Sequence, residues 1–195
     1  MSRIFLIIIL TFSFQTLTNA DDIKDFEIDG MSIGDSLLDF YSKNKINEML
    51  KKTVSEYSSK EIKRVYFMSK NGSKYLQYNF HYINDESYKI VNIKGIMLME
   101  NKSKECNAKK LKISKEIENS INFKYKENSV DVNTVDKSGK SSIDRIKFIV
   151  DGGRIEVACW KWSKKIKDEK PWRDTLQVSI RSDIYNNWLS NKAYK

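Results

Sequence analysis

The chain of 195 residues holds one proline, one histidine, two cysteines and seven glycines. Each scarcity excludes something. Without a second imidazole beside His81, a zinc site would need carboxylate or cysteine ligands, and the cysteines are expected to be bridged. A Ser-His-Asp triad has only His81 to draw on, and no serine lies in a nucleophile elbow. Ser138-Gly139-Lys140-Ser141 resembles the tail of a phosphate-binding loop, but the glycine required five residues before Gly139 is Thr134. Asp131, Asn133 and Asp136 do not have EF-hand spacing and lack its central glycine. No metal, cofactor or catalytic residue is therefore assigned. Proline and alanine are scarce beside heavy use of Lys, Ile, Asn, Ser and Tyr, a bias of AT-rich coding more than of any activity.

Long apolar runs are also missing after residue 20. The one run, Ile4–Leu10, follows Arg3 and gives way to Thr11, Ser13, Gln15 and Thr16 before Thr18-Asn19-Ala20. A cationic start, a short apolar core and small residues at the −3 and −1 positions form a cleavable signal peptide over residues 1–20. The run is shorter than the roughly 20 apolar residues that span a bilayer. Residues 21–195 are then expected as a soluble, periplasmic or secreted α+β domain, or as two subdomains over 21–101 and 102–195. In an oxidising compartment, Cys106 and Cys159 are expected to pair. The alternative is two separate buried thiols.

Charge is present in excess. The count of +9 becomes +8, 34 basic against 26 acidic residues, once Arg3 is removed. Such a surplus favours anionic partners. Outside the cytoplasm these are lipid headgroups, cell-wall polymers and acidic glycans, or another envelope protein, and not nucleic acid. Scattered lysines that only keep a small domain soluble are the plainer alternative.

The pattern along the chain predicts antiparallel sheet of six to seven strands with a helical N-terminal hairpin, a central helix and a C-terminal helix. Asp29-Gly30 is a turn. Leu37, Leu38, Phe40 and Tyr41 at near-helical spacing, then Lys45–Lys52, make the helical hairpin. Arg64–Ser69, Tyr75–Ile83 and Tyr88–Met99 form a meander, with a turn at Asn71-Gly72 and a bulge at Gly95. His81 falls on the polar side of its strand. Ile113, Ile117 and Ile121 line a helix that begins near Cys106. A weak strand over 123–135 precedes a hairpin, Ile143–Val150 and Arg154–Ser163, around Asp151-Gly152. Lys164–Lys170 is a charged loop, Thr175–Arg181 is a strand, and Ser182 or Asp183 caps the last helix.

On Arg154–Ser163, Ile155, Val157 and Cys159 share one face, while Trp160 and Trp162 share the other with Arg154 and Glu156. Trp160, Trp162 and Trp172 fall among Lys161, Lys164, Lys165, Lys167, Lys170 and Arg173. Indole faces stack on sugars or sit at a membrane interface, and cations take anions. The candidate ligand-binding residues are Trp160, Trp162, Lys164, Lys165, Trp172 and Arg173. Packing of Trp160 and Trp162 beneath the closing helix is the alternative. Paired carboxylates for glycoside hydrolysis need no fixed spacing, so a hydrolase of cell-wall or glycan substrates stands beside the binding protein as the second expectation.

Ile28–Asp39, Asp136–Ser141, Asp151-Gly152 and Cys159-Trp160-Lys161-Trp162-Ser163 together resemble exported proteins of AT-rich marine alphaproteobacteria. The resemblance implies a periplasmic setting and carries no catalytic residues.

Overall fold

The computed structural model describes residues 22–53, 57–69 and 72–195. The predicted export signal, residues 1–20, lies outside the described residues, as do Lys70 and Asn71 of the first hairpin turn. The described residues open with a 3-10 turn at Ile23–Asp25 and two short paired strands, β1 (Glu27–Ile28) and β2 (Met31–Ser32). Asp29 and Gly30 join them, both at positive φ, the backbone that a tight two-residue hairpin demands and Asp-Gly tolerates. Then follow α1 (Lys43–Lys52), β3 (Ile62–Met68), β4 (Gln77–Ile83), β5 (Ile90–Leu98) and α2 (Ser103–Ser120). The second half holds β6 (Tyr125–Val132), β7 (Ser142–Val150), β8 (Gly153–Lys161), α3 (Lys164–Glu169), β9 (Thr175–Ser182) and α4 (Asp183–Asn191).

The seven longer strands form one antiparallel sheet in the order β3-β4-β5-β9-β8-β7-β6. The chain is an α+β fold. Two three-stranded meanders lie side by side, and β9 enters between them. One face is apolar because alternate residues of a strand point the same way. Val65 and Phe67, Tyr78 and Phe80, Ile93, Ile146 and Phe148, Ile155 and Val157, and Leu176, Val178 and Ile180 are all buried in a single core. The N-terminal segment, α1 and α2 cover it with Ile23, Ile28, Ile46, Cys106, Ile117 and Ile121. Cys106 on α2 and Cys159 on β8 are joined by a disulfide.

Several elements differ from the sequence expectation. There is no helical N-terminal hairpin. Leu37–Asp39 is a single 3-10 turn, because Ser42 is extended and its Oγ accepts from Lys45 N to start α1 afresh. The segment 164–169 is a helix instead of a loop. Ser163 Oγ accepts from Ile166 N, Ile166 is buried, and Lys164–Asp168 and Lys165–Glu169 pair at i,i+4. Gly95 is no bulge: the register shifts at His81/Tyr82 against 90–92. Gly95 instead gives room to the Tyr75 ring, whose atoms would lie 2.6 Å from an added Cβ. On α2 the buried strip contains Lys110, which pairs with Asp144 of β7.

Candidate functional site

The second sheet face is polar. α4 covers one end of it, and a chain of indoles stands at the other. On β8 the residues facing this side are Arg154, Glu156, Ala158 and Trp160, spanning roughly 20 Å at about 3.4 Å per residue. Neighbouring strands bring further cations alongside them. Arg64, His81, Asn92, Arg181 and Arg154 stand abreast across five strands. The next row carries Asn79, Lys94, Ser179, Glu156 and Lys147, and the one after it carries Gln177, Ala158 and Arg145.

Arg154 is directly opposite Arg181, an arrangement of like charges that disfavours the sheet unless an anion compensates it. Glu156, 3% exposed, supplies part of that compensation from the next row of the same face. Its carboxylate oxygens lie 3.7 Å from Arg181 Nη2 and from Arg145 Nη1, beyond hydrogen-bond length. Arg145 also meets Asp131 at the rim, 3.1 Å from Nε. Burial raises the pKa of Glu156, but Arg181, Arg145, Lys94 and Arg154 outweigh it and hold the carboxyl below its usual value. Lys94 is pushed down to about 8, first by burial, then by Arg181. Arg154 is lowered too, by burial and by Arg181. Among the described residues, buried polar side-chain atoms without a hydrogen-bond partner gather here: Asn92 Oδ1, Nε of Arg154 and Arg181, Glu156 Oε2, Trp160 Nε1 and Gln177 Oε1. A native protein leaves few such groups without a reason.

At the covered end, α4 sets Tyr185 and Trp188 against the sheet with Ile62 and Val91. His81 Nε2 lies 3.2 Å from both Tyr57 and Tyr185 hydroxyls, and Asn92 Nδ2 is 2.8 Å from Nδ1. Burial foremost, then Lys94, Arg64 and Arg181, hold His81 neutral, well below the usual imidazole pKa.

At the open end, Trp160 and Trp162 have ring centroids 5.8 Å apart, and Trp162 and Trp172 are 4.6 Å apart. All three are partly exposed. A lysine stands by each end of this ladder, Lys94 Nζ 5.6 Å from the Trp160 ring and Lys170 Nζ 5.8 Å from the Trp172 ring. The loop is anchored by Asp174, which accepts from Trp162 N and pairs with Lys167. The three predicted tryptophans therefore come together, and at the opposite end of the strands from α4. Lys164 and Lys165 do not join them, since their side chains are 88% and 70% exposed and pair with Asp168 and Glu169 along α3. Arg173 is exposed and donates to the Trp172 carbonyl.

No protein-family model, curated protein or solved structure matches the chain. The site is thus argued from its own chemistry. Lys94, Arg145, Arg154 and Arg181 are not legible as a group along the chain, because they come from four strands whose order no local pattern gives. The available signal was a cation at alternate positions of strands whose other positions are aliphatic.

One further concavity holds two acids. Asp29, Met31, Asp39, Phe40, Tyr41, Ser73 and Tyr78 line a cleft of about 420 Å³. Asp29 Oδ2 accepts from Tyr78 Oη and, at 2.9 Å, from Ser73 Oγ. Burial foremost and the Asp29 carboxylate raise Tyr78 to about 12.

Proposed function

We propose that the protein is an exported, non-enzymatic binding protein of the cell envelope, and that it holds an anionic component on the polar sheet face and the adjoining tryptophan ladder. The observation that supports this most is the convergence of Lys94, Arg145, Arg154 and Arg181 on one face around the buried carboxylate of Glu156. Such an array is electrostatically unfavourable on its own, and an anion relieves it. Arginine forks suit phosphate and carboxylate groups, and indole faces suit a ligand with an apolar side. The disulfide agrees with a place outside the cytoplasm.

The test is cosedimentation of the purified exported protein with isolated envelopes over a salt series. Binding should fall as salt rises and be largely lost in a Trp160→Ala, Lys94→Gln variant. It should survive Lys164→Ala, whose side chain pairs with Asp168 along α3. Unchanged binding by the double variant would refute the site. A second reading, a hydrolase of wall glycans, would place its two acids in the cleft that Asp29 and Asp39 line. Release of reducing ends from such glycans, lost in Asp39→Asn, would decide for it.

A further inference from the structure

The partly apolar rim of the polar face narrows the partner. In the sheet row that holds Trp160, Thr175 is its neighbour and Leu98 the next residue, about 10 Å from Trp160 at the usual strand spacing. Leu98 is 50% exposed and Met68, on the same side of β3, is 57% exposed. Aliphatic side chains half in water gain little from a sugar, whose hydroxyls need hydrogen-bonding partners. They gain from hydrocarbon. Indoles prefer the boundary between an apolar layer and water. The cations are distributed accordingly: Lys94 and Lys170 beside the ladder, exposed Arg173 next to it, and Arg145 and Arg181 on the face behind. Aliphatic residues at the tip, tryptophans beside them and cations behind follow the order of a bilayer surface, from acyl chains to anionic headgroups.

We propose that this end of the sheet docks peripherally on a bilayer bearing anionic headgroups. Leu98, Met68 and the Trp160–Trp162–Trp172 ladder meet the acyl boundary, and Lys94, Lys170 and Arg173 meet the headgroups. The inference rests on the anion-binding reading above and specifies its partner. Among the described residues no helix is long and apolar enough to cross a membrane.

The full exported protein, disulfide intact, is mixed with phosphatidylglycerol vesicles, with phosphatidylcholine vesicles and with soluble polygalacturonate, and followed by sedimentation and tryptophan emission. Trp188, on α4 and 4% exposed, serves as the unchanging background. Anionic vesicles should bind the protein and shift its emission to shorter wavelength, while neutral vesicles should not. Lys170→Gln and Arg173→Gln should each weaken vesicle binding about fivefold. Leu98→Ser with Met68→Ser, both at exposed positions, should weaken vesicle binding and spare any binding of polygalacturonate. Equal affinity for polygalacturonate and anionic vesicles, with vesicle binding indifferent to the Leu98 and Met68 changes, would overturn the membrane proposal while leaving the anion-binding one. Failure to bind any of the three probes would remove both.

Discussion

His81 illustrates how much a single residue's role depends on what covers it. Its strand position correctly implied the polar face, but α4 and Tyr57 bury it there, 6% exposed, among hydroxyl and amide partners. Its neutrality in the fold makes stability depend on pH. In the unfolded chain an imidazole takes up a proton near pH 6.5. Below that pH the unfolded state binds a proton that the native state refuses, so unfolding becomes easier as pH falls. The slope approaches about 1.4 kcal/mol per pH unit until the native pKa is reached. Urea midpoints between pH 7.5 and 5 should fall faster for the wild type than for His81→Gln, which lacks the group. Parallel curves would contradict this account. Trp160, on the same face, had two possible fates in the sequence, beneath the closing helix or on the surface. The register settles it: Trp160 sits by Thr175 at the far end of β9 from Ser182, where α4 begins.

Elements were legible where one local signal dominated. Alternation gave β3, β4, β5, β7, β8 and β9, and four-residue isoleucine spacing gave α2. Misreadings arose where two signals competed. Leu37–Tyr41 has helical spacing, but the Ser42 cap imposes an extended residue in the middle of the expected hairpin. Residues 164–170 have the charge of a loop, but the Ser163 cap and the i,i+4 pairs make α3 of 164–169. β6 reads weakly because every residue but Ser129 is exposed, with no face pressed into the core. The union of α2 with β8 was predicted through Cys106 and Cys159, and it carries this scale's expected outcome. The bridge spans a sequence separation of 53, so the chain-entropy model assigns it about 4 kcal/mol. Cys106→Ser with Cys159→Ser should lower the free energy of unfolding by that order, and wild type under reducing conditions should match it. Denaturant curves that do not distinguish oxidised from reduced protein would show that packing of Ile117 and Ile121 alone holds α2 in place.

For the whole molecule, the feature hidden from the sequence is the strand order. Two meanders and a late strand can be read along the chain, but nothing local says that β9 lies between β5 and β8. That placement builds the polar face, because it sets Arg181 beside Arg154 and brings Lys94 within reach of Glu156 across the inserted strand. It also decides how the protein unfolds. Leu176, Val178 and Ile180 are buried to 2% exposure or less, and β9 pairs along both edges. Removing Leu176 to Ala should destabilise by about 2–5 kcal/mol, as large-to-small changes in packed cores do. Val130→Ala on edge strand β6, 72% exposed, should stay within about 0.5 kcal/mol. Because the two meanders share β9, neither can open without exposing it. Native-state hydrogen exchange should therefore show β3–β5 and β7–β8 losing protection together, with one common opening free energy reduced equally in both by Leu176→Ala. Two separable opening energies, only one of them lowered by that change, would mean that the halves fold independently and that the cationic face between them can come apart while each half stays folded.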